Sequence, residues 1–223
     1  FSFAKKHRLP IVSVDDLIAY RIQREVLVTR AATAELPTAY GNFTIHVYTS
    51  ALDNKEHVAL VMGTVTNQEN ILTRIHSECL TGDTLSSLRC DCRAQLEAAM
   101  KAIAAEGRGI FMYLRQEGRG IGLTNKIKAY ALQQNEGLDT VEANVRLGLP
   151  ADARHYGMSA QILRDLKVKS VRLLTNNPQK LAGLKTIGVT VAKQVALETP
   201  PNEHNLKYLK SKKKKLGHLL DNV

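Results

Sequence analysis

The feature that most constrains this chain is the clustering of its three cysteines between residues 76 and 92. The stretch reads HSECLTGDTLSSLRCDC, which gives the spacing C-x10-C-x-C for Cys79, Cys90 and Cys92. Three thiolates can hold a zinc ion and leave its fourth tetrahedral position open to water, as in catalytic zinc sites. Three reduced cysteines packed in a core are the alternative, since free cysteine is often buried. The clustering favours a metal site, because core cysteines have no reason to lie together.

Composition limits the classes of protein to which this 223-residue chain can belong. A hydrophobic fraction of 44% allows a sizeable core and excludes wholesale disorder. The chain has neither an apolar run of about 18 residues nor a signal-peptide pattern, so we predict no membrane partner. Clustered cysteines without extracellular features then predict a reducing, cytoplasmic location. The first residue is Phe1 rather than Met, so we expect the sequence to be part of a longer protein.

The net charge of +10 is unevenly distributed. Residues 207–215, KYLKSKKKK, contain six lysines and no acidic residue. Such a run is typical of a solvated face or a loose tail, so we predict no catalytic role for it. The mildly basic remainder suits an anionic small molecule as well as nucleic acid. A basic nucleic-acid-binding protein therefore remains an alternative, although the interleaved aromatic residues of single-strand binders are missing.

The order of predicted elements indicates an α+β or mixed α/β fold, in which antiparallel hairpins lead into a half that alternates strands and helices. Alternation over 43–50, a turn at 53–56 and a second strand at 57–65 predict a hairpin. A third strand, 71–78, brings in the cysteine stretch at its end, where scaffolds often hold functional groups. The other predicted strands are 109–114, 170–175 and 189–197, and the predicted helices are 92–107, 123–134, 158–166 and 179–188.

The remaining segments suggest how the chain is divided. A short strand at 11–14 and a helix after it form a piece too small for a core of its own. A proline and a glycine make residues 33–42 a predicted linker, and 135–157 is a polar segment with little periodicity. The predicted division is an N-terminal arm (1–35), a main domain (36–200) and a basic C-terminal tail (201–223).

The glycine-rich stretch RQEGRGIGL, residues 115–123, is a candidate anion-binding loop. Glycines let backbone N–H groups approach a phosphate, and a helix start beyond them adds a favourable dipole. Arg115 and Arg119 add forked donors that match phosphate oxygens. The alternative is a structural strand-to-helix turn. The stretch matches neither a Walker loop nor the dinucleotide-binding fingerprint.

Two further polar stretches hold candidate site residues. ADARHYG (151–157) pairs Asp152 with Arg154, either for catalysis or as a helix cap with a salt bridge. TNNPQK (175–180) follows a predicted strand, which is the usual ligand position on an α/β layer. Its polar side chains suit a nucleotide and Lys180 suits a phosphate, but spacing alone favours an Asn-Pro turn with a solvated lysine.

Taken together, these stretches resemble the GTP cyclohydrolase II family. The signatures occur in order between residues 40 and 197, as RIHSECLTGDTLSSLRCDC, GRGIFMYLRQEGRGIGLTNKIKAYALQ, DTVEANVRLGLPADAR and LLTNNPQK. The resemblance implies the first committed step of riboflavin biosynthesis, in which GTP and water give formate, pyrophosphate and a diaminopyrimidinone ribosylamine phosphate. It also implies a homodimer. Residues 1–35 resemble the C-terminal end of a dihydroxybutanone-phosphate synthase domain, which precedes this family's domain in bifunctional riboflavin enzymes.

The resemblance further implies roles for individual residues. It places one zinc ion per subunit on the three cysteines, where it would activate water to attack C8 of guanine, and Mg²⁺ on the triphosphate. It places Tyr130 near the reacting base and makes Asp152 a proton acceptor. Arg154 matches a proposed nucleophile toward the α-phosphate, but an always-protonated guanidinium suits charge stabilisation better. The residues implied around GTP are Arg74, Ile75, His76, Ser77, Glu78, Gln95, Glu117, Gly118, Arg119, Thr140, Thr175 and Lys180.

Two positions depart from the family's pattern. Arg93 follows the C-x-C where the family usually has glycine, and His155 follows the D-x-R where it usually has aspartate. Two alternatives within the resemblance also stay open. One is a non-catalytic module that binds zinc and GTP, and the other is a relative that stops before the full reaction. Tyr130, the residue that the family has at this position, favours the full reaction.

Overall fold

The computed structural model describes residues 1–51 and 55–223, in which a mixed α/β fold is built on one sheet. The strands of the described residues are β1 (Val28–Thr38), β2 (Gly41–Ser50), β3 (Glu56–Met62), β4 (Ile71–Ser77), β5 (Gly109–Leu114), β6 (Val171–Leu174) and β7 (Val191–Val195). The α-helices are α1 (Ser2–His7), α2 (Val14–Arg24), α3 (Cys92–Glu106), α4 (Gly122–Glu136), α5 (Thr140–Arg146), α6 (Gly157–Asp165), α7 (Pro178–Thr186) and α8 (Leu206–Leu216). The predicted turn at 53–56 falls mainly outside the described residues.

The sheet has an antiparallel half and a parallel half, in the order β1-β2-β3-β5-β4-β6-β7. Neighbours from β1 to β5 pair antiparallel, whereas β4 lies parallel to both β5 and β6, and β6 lies parallel to β7. This arrangement confirms the prediction of hairpins that lead into an alternating half. Because β4, β5 and β6 are parallel, the loops that follow them meet at one edge of the sheet, where ligands usually bind.

Helices cover both faces of the parallel half. On one face α3 packs Ala99 and Ile103 against Phe111 of β5, and on the other α6 packs Ile162 against the sheet. The first six residues of β4 are all buried, as expected for a central strand that has no solvent-facing side. The end of β4 is therefore a rigid support for the cysteine stretch. None of the helices in the described ranges is long and apolar enough to span a membrane.

The predicted linker at 33–42 is wrong, because most of it belongs to β1, which pairs with β2. Pro37 lies opposite Asn42, close to the turn that joins the two strands. β1 is an edge strand, and an edge strand tolerates proline because one side of its backbone has no ladder partner. The proline and glycine that suggested a linker therefore mark a hairpin turn.

Two local predictions also differ from the structure. The strand predicted at 11–14 is absent from the described fold, since Ser13 caps α2 and shares a capping box with Asp16. The polar segment 135–157 contains α5, which Asp139 caps together with Glu142. In both places a short capping signature marks the start of a helix, while the apolar periodicity of the segment is weak.

The C-terminal segment interpreted as a loose basic tail contains the ordered helix α8. Leu209 and Lys212 of this helix are buried, whereas Lys213 and Lys214 are exposed. The solvated-face interpretation therefore holds for one side of the helix only. The proposed division of the chain at residues 35 and 200 remains a prediction.

Candidate active site

The three cysteines converge at the carboxyl end of β4. Cys79 follows this strand, Cys90 lies in the turn before α3, and Cys92 is the first residue of α3. Their sulfur atoms all lie within 4.8 Å of one another, and the Sγ atoms of Cys79 and Cys90 are 3.7 Å apart. The predicted helix start at Cys92 is confirmed. This start matters because Cys90 and Cys92 are two positions apart in sequence, and on a regular helix their side chains would point in different directions.

The backbone closes tightly around these sulfurs and suits a metal ion. A π-helical turn, Leu80–Thr84, presses Gly82 against the cluster. A Cβ atom at Gly82 would lie 2.8 Å from the sulfur of Cys90 and 3.1 Å from that of Cys79. Only glycine fits this approach without displacing a sulfur. Three sulfurs at this spacing form a donor set that Zn²⁺ favours, so the residues present fit the implied zinc ion.

Buried hydrogen bonds fix the loop that carries Cys79. The carboxylate of Asp83 accepts from the backbone N–H of Cys79 at 2.9 Å and from the Tyr113 hydroxyl at 3.0 Å. It also contacts Nε2 of His76 at 3.0 Å. Burial lowers the pKa of His76 despite this carboxylate, so its ring is neutral near pH 7. Because Nε2 faces Asp83, the other ring nitrogen, Nδ1, points away from this carboxylate. Hydrogen-bond networks of this kind hold metal-ligating side chains in position.

A buried ion pair lies beside the sulfurs. The ammonium of Lys126 donates to Sγ of Cys79 at 3.1 Å and to Glu117 at 2.8 Å. The other carboxylate oxygen of Glu117 accepts from the backbone of Leu80 at 2.6 Å. Hydrogen bonds from Cys90 and the third cysteine, with the charge of Lys126, hold the pKa of the Cys79 thiol well below its usual range. These contacts favour the thiolate, which is the form that binds metal.

The glycine-rich loop packs against the predicted stretch 151–157. Gly118 and Arg119 have φ values of 63° and 61°, in the left-handed region. A Cβ at Gly120 would lie 2.8 Å from the carbonyl oxygen of Ala153, and the Ala153 N–H donates to the Arg119 carbonyl. Gly120 is thus explained by close backbone packing, as in the structural alternative. The loop still carries Glu117 and Arg119 to the cavity.

Two buried cations lie at the ends of β4 and β6. Arg74 donates to the carbonyl oxygen of Leu174 at 2.8 Å and to Gln95 at 2.5 Å, and burial lowers its pKa to about 10. Lys180 is 4% exposed and donates to the carbonyl oxygen of Ile75 at 2.8 Å. Burial, together with Arg74 and Arg154, holds the pKa of Lys180 well below its usual range. The solvated-lysine alternative is therefore wrong for Lys180.

Asp152 and Arg154 form a bidentate ion pair. Nε of Arg154 donates to Asp152 at 2.8 Å, and a second guanidinium nitrogen contacts the other carboxylate oxygen. Burial raises the pKa of Asp152, but hydrogen bonds and charge from Arg154 outweigh it, so that the pKa lies below its usual value. The carboxylate is consequently ionised at neutral pH and fixes the direction of the guanidinium.

A cavity of about 360 Å³ joins the sulfurs to these cations. Every residue that the resemblance implies for the site lines it except Ile75 and Asp152, which contact Lys180 and Arg154 respectively. Arg115, predicted as a phosphate donor, does not line the cavity and pairs with Glu78 instead. Some buried polar atoms of the lining have no hydrogen-bond partner among the described residues, namely Arg74 Nε, His76 Nδ1, Ser77 Oγ and Gln133 Nε2. Buried polar groups are nearly always paired, so these atoms indicate a polar ligand.

Part of this lining lies outside the residues predicted from the sequence. The guanidinium of Arg89 lies 4.4 Å from the ring centre of Tyr130, which marks a flat surface beside the sulfurs. The C-terminal segment contributes His204, Lys207, Tyr208, Ser211, Lys212 and His218. Helical spacing could have revealed it, since residues four apart share a helix face and Tyr208 and Lys212 therefore point together.

The two departures from the family's pattern lie away from the sulfurs. Arg93 is exposed, and its guanidinium contacts Glu97 at 3.0 Å and the Ser86 hydroxyl at 2.6 Å. His155 is exposed as well, and its backbone carbonyl accepts from Gln116. Neither side chain narrows the cavity.

Comparison with known proteins agrees with this geometry. The model of the family described as GTP cyclohydrolase II matches residues 29–196. The riboflavin biosynthesis protein RibBA of Bacillus subtilis is 56% identical over 218 residues, which cover 97% of this chain and 54% of that protein. RibBA of Bacillus mycoides is 54% identical, with 98% and 55% covered. The chain thus spans about half the length of the curated relatives it matches.

A solved structure shares the fold. It is RibBX, described as a two-domain 3,4-dihydroxy-2-butanone 4-phosphate synthase from A. baumannii. The TM-score is 0.58 and the sequence identity is 25%, over 87% of this chain and 48% of that one.

Proposed function

The chain belongs to the GTP cyclohydrolase II family, and on that premise we propose that it hydrolyses GTP in riboflavin biosynthesis. The proposed products are formate, pyrophosphate and a diaminopyrimidinone ribosylamine phosphate. One observation carries the proposal. A single cavity joins a three-sulfur cluster to buried cations and to unpaired polar atoms. A metal-assisted hydrolysis of an anionic nucleotide needs both halves of that arrangement.

The sulfur end of the cavity is the proposed metal centre. Cys79, Cys90 and Cys92 are the proposed ligands, with one zinc ion per subunit. When bound, zinc supplies the Lewis acidity that makes water nucleophilic near neutral pH. The chain keeps the ligands in place, because Asp83 and Glu117 hold backbone N–H groups of the Cys79 loop.

The cationic end of the cavity is the proposed triphosphate site. Arg74 and Lys180 donate to backbone carbonyl oxygens, so their positive charge remains available to phosphate oxygens. Arg119, Thr140 and Thr175 line the same cavity and are proposed to bind GTP. Mg²⁺ is proposed on the triphosphate, because hard phosphate oxygens suit it.

The residues between these ends are proposed to hold the base and the α-phosphate. Tyr130, with Arg89 over its ring, offers a surface for guanine beside the sulfurs. There C8 of guanine would be exposed to water, and two hydrolytic C–N cleavages would release it as formate. Arg154 is proposed to stabilise charge while the α–β phosphate bond is cleaved. The geometry supports Asp152 as the group that orients Arg154, and its proton-acceptor role rests on the resemblance.

GTP turnover tests this function directly. Zinc-loaded protein with Mg²⁺ and GTP should release formate and pyrophosphate. Cys79→Ser should lose metal and slow formate release by more than about 100-fold, which exceeds the usual loss when a residue that only hydrogen-bonds to a metal ligand is changed. Arg93→Gly is the control, because Arg93 is close in sequence but points to solvent.

Other outcomes would replace the proposal. GTP that binds but stays intact would identify a non-catalytic zinc- and GTP-binding module. Accumulation of a formamide, without formate, would identify a relative that stops after ring opening. Duplex DNA binding with no GTP turnover would support the nucleic-acid alternative.

Three family expectations are also proposals. They are a homodimer, a cytoplasmic location and the origin of residues 1–35 in an upstream synthase domain. Light scattering of the purified protein would test the first, because a monomer mass at micromolar concentration contradicts it.

A further inference from the structure

The C-terminal segment lies against the cavity, although its charge suggests a solvated helix. Tyr208 and Lys212 of α8 both line the cavity, and His218 just beyond the helix does so too. Leu209 of the same helix and Asn205 at its N-terminus are buried. The segment is therefore seated in the fold on its cavity side.

Contacts at both ends tie α8 to the other walls of the cavity. Lys207 donates to the Gly137 carbonyl at 2.8 Å, and Lys215 contacts Glu142 of α5 at 2.8 Å. On the other side, the N–H of Leu219 donates to the carbonyl of Asn176 at 2.9 Å. The helix thus spans from the α4–α5 connection to the end of β6.

Lys212 makes the closest link to the sulfur cluster. Its ammonium lies 2.6 Å from the carboxylate of Asp91, and both side chains are buried. Asp91 is the residue between Cys90 and Cys92. A buried lysine that remains charged must have such a partner, and here the partner belongs to the turn that carries two sulfurs.

The link continues from Asp91 to the cationic end of the cavity. Asp91 accepts from the side chain of Gln95 at 2.5 Å, and Gln95 accepts from Arg74 at 2.5 Å. Arg74 in turn donates to the Leu174 carbonyl. A continuous chain of short hydrogen bonds in a largely buried region restricts the motion of its members, so a change at one end alters the geometry at the other.

We propose that α8 is a wall of the GTP site and that Lys212 is a positioning residue within it. Through Asp91 and Gln95, Lys212 sets the direction of Arg74 and the shape of the Cys90–Cys92 turn. The identity of the ligand rests on the proposed function, whereas the link from α8 to the sulfurs does not. The lysine run therefore contains one residue that organises the site among others that face solvent.

Three variants of the metal-loaded protein test this. Lys212→Met removes the charge, Lys212→Arg keeps a donor for Asp91, and Lys214→Met removes the same charge from the exposed side of α8. We expect Lys212→Met to lower kcat/KM about tenfold or more, with the larger part in kcat, because breaking a buried pair disturbs what it holds. Lys212→Arg should recover most of the loss, and Lys214→Met should match the wild type.

A spectroscopic measurement separates positioning from folding. With Co²⁺ in place of zinc, the thiolate-to-cobalt absorption band reports the geometry of the sulfurs. Lys212→Met should shift this band, and Lys212→Arg should restore it. In a double-mutant cycle with Asp91→Asn, the double variant should be no worse than the poorer single variant, since both act through one contact.

Clear results would overturn the inference. Wild-type kinetics and an unchanged band in Lys212→Met would do so. Equal losses of kcat/KM in Lys212→Met and Lys214→Met would show that the change in net charge alone explains the effect. A lower melting temperature with an unchanged band would leave only a scaffold role. If the wild type released no formate, the proposed function would fail, while the cobalt band would still decide this inference.

Discussion

The two ends of the cavity differ in how their positive charges are balanced. At the sulfur end, Lys126 lies 2.8 Å from Glu117, and Lys212 lies 2.6 Å from Asp91. At the other end, Lys180 donates to the Ile75 carbonyl, and Arg74 donates to a carbonyl and to an amide oxygen. The first end carries its own counter-charges, and the second has an excess of buried positive charge.

The difference indicates which part of the site is complete without substrate. Buried charges are costly unless they are paired, so the sulfur end is stabilised by its own residues. The cationic end is held in an unfavourable state that an anionic ligand would relieve. Stability and binding should therefore respond in opposite ways to substitutions at the two ends.

The largest expected effect is at the sulfur end. Glu117→Gln removes the acidic partner of Lys126 and weakens the acceptor for the Leu80 N–H. We expect the free energy of unfolding to fall by about 3 kcal/mol, because Lys126 stays buried without its carboxylate partner. Urea unfolding measures it. Glu97→Gln, in an exposed pair with Arg93, is the matched control and should change stability by less than about 0.5 kcal/mol.

Lys180→Met tests the cationic end. Loss of a charged donor should weaken GTP binding about 10- to 100-fold, as expected for a hydrogen bond to a charged group. The same change should leave the free energy of unfolding equal or raise it by about 1 kcal/mol, because it removes a buried amine that has no acidic contact among the described residues. Calorimetric titration with GTP and urea unfolding give the two numbers. A marked loss of stability would contradict the comparison.

A pH measurement sharpens the contrast. Burial, and then the charges of Lys212, Arg154 and Arg119, lower the pKa of His218 to about 3, against a smaller opposing effect of Asp91. As the pH falls from about 6.5 toward 3, the unfolded chain takes up a proton that folded His218 does not, so the free energy of unfolding decreases.

The variant His218→Gln isolates this contribution. Between wild type and variant, the loss of stability from pH 7 to pH 5 should differ by about 1–2 kcal/mol, with the wild type losing more. Above pH 7 the two stability curves should run parallel. Identical curves down to pH 4 would show that the cations near His218 do not raise the cost of its protonation.

The smallest effect is expected at Arg93→Gly. The exposed contact with Glu97 and the helix preference of arginine are both weak, so the free energy of unfolding should fall by less than about 1 kcal/mol. Zinc affinity should not change, because the side chain points away from the sulfurs. A tenfold change in zinc affinity, measured against a chelator, would mean that this turn does need the family's usual glycine.

Much of the fold could be predicted from local patterns. The alternation in β2 and β3, the apolar β5 and the helical spacing of α3 identified these elements because each buries one face or both. The errors came where a turn signal and a long-range contact compete. Pro37 suggested a linker, but β1 pairs with β2 at this position. The sequence of a single strand does not show whether that strand will pair at the edge of a sheet.

The sequence by itself determined which donor groups the chain carries. Three clustered cysteines, a glycine-rich loop with arginines and the DAR and NNPQK stretches supply thiols and cationic groups that suit a metal ion and an anion. Only the tertiary structure decided which of these groups are buried and which partners they contact. It buried Lys180 with no acidic contact in the described part of the chain, turned Asp152 toward Arg154, and brought Lys212 to Asp91 across 121 positions of sequence. The physical reason is that residue type sets which atoms can donate or accept, whereas burial and pairing depend on chain segments that are distant in sequence.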